Sequence, residues 1–267
     1  MSDVANVQVY VCPISRVPNN HLILSHYLSF LNATEKLRYD QYHSHAARLF
    51  LISRVLMKFV LSDKLGILPH EVIIQLQPNG KPFVRGNKAI YFNLSHSADL
   101  IVFAVTEKGE IGVDVERMNH EFEWRRVDSV LAPSEIEWIQ QNEWTNPTSV
   151  YQRFFQIWTL KESYIKCTGE GMSRHLKKLN FHVSPEHIQF CDLTNNDVQR
   201  TEQYHFKSYI YNYSFIFSLC LQQSHCLESF NIDCFQLLPY IGFVAQRFHN
   251  YMILKVLIIF RSKIKFI

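Results

Sequence analysis

VYQRFFQIWTLKESYIKC, residues 150–167, carries its apolar side chains at helical spacing, and HAARLFLISRVLMKFVL, residues 45–61, does the same in the first half of the chain. Each helix is followed by strand patterns. After the first come Tyr91–Leu94, Leu100–Thr106 and Ile111–Glu116, with Glu107-Lys108-Gly109-Glu110 as the tight turn between the last two. After the second, Ser208–Leu219 alternates strictly, with Tyr209, Tyr211, Tyr213, Phe215, Phe217 and Leu219 on one face, and reads as one long aromatic strand. Gln8–Cys12 is a short strand closed by Pro13. Pro78-Asn79-Gly80-Lys81-Pro82 is turn chemistry, and Gly169 is placed to end the second helix. Helix then strands, twice over, gives an α+β fold of two similar helix-plus-antiparallel-sheet halves related by a pseudo-twofold. The expected boundaries are 1–109, 110–222 and a tail, 223–267, of unknown structure.

The chain has 267 residues and is 47% apolar, enough for a sizeable core and too much for a disordered protein. Cys12, Cys167, Cys191, Cys220, Cys226 and Cys234 show no zinc-ligand spacing and read as small hydrophobes in a reducing compartment. No secretory signal is visible in MSDVANVQVYVCP, so a cytoplasmic protein is expected. The net charge of +3 is uneven: Arg247, Lys255, Arg261, Lys263 and Lys265 follow the last acid, Asp233, and leave residues 1–233 at +3 − 5 = −2. Basic residues are not clustered through the body, which argues against a nucleic-acid partner. The tail includes MILKVLIIF, too short and too charged to span a bilayer. Packing on the protein is favoured over contact with a membrane surface, and the two halves are expected to fold without it.

Three segments bear chemistry. In IGVDVE, residues 111–116, a strand puts Asp114 and Glu116 on one face, roughly 7 Å apart, with Val113 and Val115 toward the core. Adjacent carboxylates call for a cation between them, and Mg²⁺ characteristically takes one or two carboxylates plus substrate phosphates. A solvated strand edge fits the pattern equally well. On the second helix, Trp158, Glu162 and Lys166 share a face; a surface ion pair is the plain reading, and a metal ligand beside a phosphate contact is the sharper one. FNLSHS, residues 92–97, ends a strand in hydrogen-bonding groups that suit a phosphate, or simply cap the strand.

Together, NLSHS at 93–97, GVDVE at 112–116 and WTLKESYIK at 158–166 resemble, in order and spacing, the three signature motifs of the Sfp-type 4′-phosphopantetheinyl transferases; Gly80-Lys81-Pro82 resembles that family's GKP turn. The resemblance covers roughly residues 5–222. It implies Mg²⁺-dependent transfer of the phosphopantetheine arm of coenzyme A to a serine of an acyl or peptidyl carrier protein, with release of 3′,5′-ADP. It implies Asp114, Glu116 and Glu162 as metal ligands, and Lys166 as a pyrophosphate contact, with Glu162 and Lys166 catalytic. Ser95 and His96 match a phosphate-binding pair, Gly80, Lys81 and Pro82 the stretch beside the adenine, and Arg48 and Lys36 the residues for the 3′-phosphate. A monomer is expected. A different metal enzyme cleaving a coenzyme A or nucleotide diphosphate, or a non-catalytic coenzyme-A-binding module, would use similar residues. The tail matches nothing in the family pattern.

Overall fold

The computed structural model describes residues 5–86, 89–119, 121–141, 147–171, 175–184, 187–194, 202–223 and 230–239, and four short strands beyond. The first half comprises β1 (Asn6–Pro13), α1 (His21–Ser29), α2 (Ala33–Asp40), α3 (Ser44–Leu65), β2 (Ile74–Leu76), β3 (Pro82–Val84), β4 (Tyr91–Ser97) and β5 (Leu100–Thr106). The second comprises β6 (Ile111–Arg117), α4 (Pro133–Gln140), α5 (Pro147–Thr168), β7 (Leu179–Val183), β8 (Ile188–Asp192), β9 (Tyr204–Tyr211) and β10 (Phe215–Gln222). One sheet contains β1-β5-β4 and the other β6-β10-β9, all antiparallel neighbours. The halves therefore repeat element by element: β1 answers to β6, α2 to α4, α3 to α5, the β2–β3 hairpin to β7–β8, and β4–β5 to β9–β10.

The layers follow from strand alternation. Val7, Val9, Val11, Val102 and Ala104 face Val113, Val115, Phe217 and Leu219 of the other sheet, forming a core between the sheets. The opposite faces receive the long helices: Tyr10, Ile101 and Phe103 meet Leu51, Val55 and Leu56 of α3, and Ile216 and Cys220 meet Ile157, Leu160 and Ile165 of α5. Gly112 sets how closely α5 can approach. A Cβ there would overlap the Ser163 carbonyl oxygen and the Cys167 amide nitrogen, so only glycine lets helix and strand touch backbone to backbone. At the end of α5, Gly169 takes φ +72° and its N–H caps the Ile165 carbonyl at 2.8 Å, as the sequence led us to expect.

The repeat extends to buried charge. Glu35 closes a capping box by accepting from Asn32 N at 3.0 Å and pairs with Lys58 at 3.0 Å, while Lys58 also caps the Val72 carbonyl. In the second half Glu135 accepts from Ala132 N at 2.7 Å and pairs with Lys161 at 2.6 Å, while Lys161 donates to the Val130 and Leu176 carbonyls. Both lysines are fully buried.

Two expectations need correcting. Ser208–Leu219 is a hairpin, not one strand: Asn212 and Tyr213 adopt φ +48° and +56°, Ser214 N returns to the Tyr211 carbonyl, and Tyr213 is 77% exposed. The left-handed pair makes a tight turn inside a three-residue connection between Tyr211 and Phe215. Second, the 107–110 connection does not close a hairpin; it carries the chain from one sheet to the other. The 223–267 stretch, expected to pack on the protein, is in part built into the sheets. Phe230 is 1% exposed in the inter-sheet core, and β11 (Asn231–Pro239) runs parallel to β1 from Asn6↔Asn231 to Val11↔Gln236. Phe235 stacks on Tyr10 at 5.3 Å. Beyond lie β12 (Arg247–Phe248) paired with β13 (Tyr251–Met252), β14 (Leu257–Arg261) on β11, and β15 (Lys265–Phe266) on β9. Lys255, Lys263 and Cys226 lie outside the described residues. No described helix is long and apolar enough to cross a membrane.

Candidate active site

β4 and β6 are edge strands of different sheets, and they run side by side. Side chains, not a backbone ladder, join them. Asn93 Oδ1 accepts from Val113 N at 3.0 Å, Ser95 Oγ donates to Asp114 Oδ1 at 2.9 Å, and Ser97 Oγ donates to Glu116 Oε2 at 2.8 Å. Strand alternation explains the set: 93, 95 and 97 share a face of β4, and 114 and 116 share the face of β6 turned away from the valine core. α5 crosses above, brought close by Gly112, and presents Trp158, Glu162 and Lys166 along one face.

The result is a cavity of about 300 Å³ lined by Leu94, Ser95, His96, Asp114, Glu116, Trp158, Glu162 and Lys166. All three signature segments meet in it. Lys166 does not pair with Glu162 on a solvated face; its Nζ donates to Asp114 Oδ1 at 2.6 Å and to Ser95 Oγ at 2.9 Å. Burial raises the carboxyl pKa of Asp114, with Lys166 opposing the shift. Burial likewise raises Glu116, whose carboxylate is held by Ser97 and the Trp158 side chain, and Glu162, where the Asp114 charge adds to the effect. Burial and then Lys166 lower His96. Three desolvated carboxylates around one space favour a cation.

Among the described residues, no three His, Cys, Asp or Glu side chains are gathered closely enough to cage a metal ion. Two oxygens are nevertheless placed to accept one: Asp114 Oδ2 and Glu162 Oε1 are buried without a hydrogen-bond donor. Hard oxygen donors in an incomplete set suit an ion that brings substrate phosphate oxygens with it, as Mg²⁺ does.

The other expected residues are scattered more widely. Lys81 and Pro82 line a second cavity of about 380 Å³ with Phe83, Tyr91 and Glu110, and Gly80 makes the adjoining turn at φ +86°. Lys36 is exposed on α2. Arg48 is turned away, donating to the Ile14 and Val17 carbonyls at 3.2 and 2.5 Å. A third cavity, sharing Leu94 and His96 with the first, is lined by Arg38 and Arg54. Sequence reasoning did not single out those arginines; both lie over the Phe50 ring, a pattern of helical spacing that resembles ordinary surface charge.

Comparison with known proteins agrees with this geometry. The model of the 4′-phosphopantetheinyl transferase superfamily matches residues 110–220, and that of the 4′-phosphopantetheinyl transferase N-terminal region matches residues 18–108. The chain belongs to the 4′-phosphopantetheinyl transferase superfamily. Among its relatives, the 4′-phosphopantetheinyl transferase psf-1 of Bacillus pumilus is 30% identical over 142 residues, covering 52% of this chain and 58% of the relative. The 4′-phosphopantetheinyl transferase gsp of Aneurinibacillus migulanus is 33% identical over 122 residues, covering 46% and 48%. The L-aminoadipate-semialdehyde dehydrogenase-phosphopantetheinyl transferase of Xenopus laevis is 30% identical over 151 residues, covering 52% and 49%. The chain thus spans about half the length of these relatives.

Proposed function

We propose that the chain transfers the 4′-phosphopantetheine arm of coenzyme A to a serine of an acyl or peptidyl carrier protein, with Mg²⁺, and releases 3′,5′-ADP. The observation that carries this reading is the meeting of Ser95, His96, Asp114, Glu116, Glu162 and Lys166 around one cavity in a chain of this superfamily. The serine oxygen attacks the β-phosphorus, the bond from that phosphorus to the bridging oxygen breaks, and the electron pair leaves on 3′,5′-ADP. Asp114, Glu116 and Glu162 would hold the Mg²⁺, which supplies charge neutralisation on the pyrophosphate when bound. Lys166, already aimed at the cavity beside Ser95, places an ammonium where negative charge develops. Glu162 accepts the serine proton, directly or through water; its Oε1 lacks a donor and burial raises its proton affinity. The cavity lined by Lys81, Pro82, Phe83 and Tyr91, with Gln77 and Glu110 at its polar side, would take the adenine. His96 stands between the main cavity and the one lined by Arg38 and Arg54, which would take part of the phosphate load assigned to Arg48 and Lys36. We further propose a cytoplasmic monomer.

Incubating the protein with coenzyme A, Mg²⁺ and an apo carrier protein tests the reading. The carrier should gain the mass of one phosphopantetheine on its serine. Hydrolysed coenzyme A with an unmodified carrier would mean a phosphohydrolase, and coenzyme A bound intact would mean a binding module.

A further inference from the structure

The turn before β3, the start of β6 and the end of α5 converge on a single buried ammonium. Lys81 Nζ donates to Glu110 Oε2 at 2.5 Å and to the Cys167 carbonyl at 2.7 Å, and its side chain is 6% exposed. The Cys167 thiol donates back to the Glu110 carbonyl at 3.2 Å, closing the triangle, and Gln222 N donates to that same carbonyl at 2.8 Å. A second contact ties the same elements. Asn79, in the same turn, packs so tightly on Gly169 that a Cβ at 169 would overlap the Asn79 amide.

The positions of these partners in the chain give the junction its meaning. Glu110 immediately precedes β6, which carries Asp114 and Glu116; Cys167 immediately follows Lys166 on α5. The last carbonyls of a helix lack partners within the helix and carry partial negative charge, so an ammonium shared between them and a carboxylate is a strong electrostatic tie. A substrate phosphate seeking Lys81 would have to displace two short hydrogen bonds in a buried place. The ammonium is therefore committed to the protein, while its stem helps line the second cavity.

Building on the functional reading of Lys166 above, we propose that Lys81 is a positioning residue. From the N-terminal half it pins the end of α5 to the start of β6, which fixes Lys166 against Asp114 and Ser95. The Gly80-Lys81-Pro82 turn is then a latch between the halves as well as a wall of a cavity.

The full-length protein and its Lys81→Met, Glu110→Gln and Lys166→Ala variants test this, with coenzyme A, Mg²⁺ and an apo carrier protein. In Lys81→Met, kcat should fall about ten- to a hundredfold through misplacement of Lys166, with the KM for coenzyme A changed less than about twofold. Lys81→Met combined with Lys166→Ala should lose little beyond Lys166→Ala alone, since one acts through the other. Amide hydrogen exchange at residues 165–169 should quicken in Lys81→Met, a readout that needs no turnover and so stands even if the transferase reading fails. If Lys81→Met does not fold, Glu110→Gln, which leaves the Cys167 carbonyl bond in place, should show the same pattern in smaller measure. A raised KM with kcat retained, additive losses in the double variant, or unchanged exchange at 165–169 would overturn the proposal.

Discussion

Lys161 and Lys166 stand on the same helix and should fail in opposite ways. Lys161 is fully buried, pairs with the fully buried Glu135 at 2.6 Å, and donates to the Val130 and Leu176 carbonyls at 2.8 and 3.0 Å. In Lys161→Met the stem volume is kept, but Glu135 loses its cation and the Val130 and Leu176 carbonyls each lose a donor. Breaking a buried pair from one side costs about 3–5 kcal/mol. Against a typical total of about 5–15 kcal/mol this is a large fraction, and in a chain of this size it lowers Tm by roughly 6–20 °C. Lys166 is different: its side chain is 29% exposed to the cavity, and Ser95 still donates to Asp114 when it is gone. Lys166→Ala should therefore cost no more than about 1–2 kcal/mol. Its effect on turnover should be roughly a hundred- to a thousandfold, the scale for deleting one preorganised donor to developing charge. Urea unfolding alongside single-turnover transfer to a carrier separates the two. A loss below about 1 kcal/mol in Lys161→Met would refute the buried-pair argument. A Lys166→Ala protein as unstable as Lys161→Met would make that lysine architectural and remove its claim on the chemistry.

Asp114→Ala should abolish transfer while the protein stays folded, because it removes one of three crowded, desolvated carboxylates; retained transfer at millimolar Mg²⁺ would contradict the metal assignment. Gly112→Ala should destabilise by several kcal/mol, about the range of a core overpacking, because its methyl meets the α5 backbone rather than a side chain that can yield; a Tm within a degree or two of the parent would show that the helix can lift. Ending the chain at residue 225 should yield an aggregating or markedly less stable protein, since it uncovers the pocket of Phe230 and the edge of β1; a soluble, active product would show that β11 is dispensable.

Much of this fold was legible because period decides it: α3, α5, β5 and β6 stand within a few residues of where apolar spacing puts them. The hairpin at Asn212-Tyr213 was hidden because aromatic alternation runs straight through the turn, and no glycine marks it. The buried pairs were hidden for a different reason. Glu35, Lys58, Glu135 and Lys161 look in sequence like solvated helix charges, and only the packing of α2 on α3 and α4 on α5 takes them out of water. At the site, the residue types were legible but their partners were not. That Lys166 meets Asp114 depends on α5 packing against β6, and that Ser97 meets Glu116 depends on two edge strands of different sheets lying side by side; no local pattern encodes either.

The repeat also bears on where the carboxylates gather among the described residues. The pseudo-twofold that places β4 beside β6 relates that seam to a second one between β9 and β1. Both seams would expose unpaired strand edges, which are open to any passing strand. The first is bridged by Asn93, Ser95 and Ser97 and remains open as the cavity. At the second, β11 takes the edge of β1, β15 takes the edge of β9, and Phe230 fits between the sheets beneath the Lys207 ammonium, 5.2 Å from its ring centre. Among the described residues, the clustered carboxylates Asp114, Glu116 and Glu162 stand at the open seam. At the position in β1 that corresponds to the Asp114-bearing stretch of β6, the strand reads Val9-Tyr10-Val11-Cys12, apolar on both faces. One edge is spent on closing the fold, and that frees the other to hold charge.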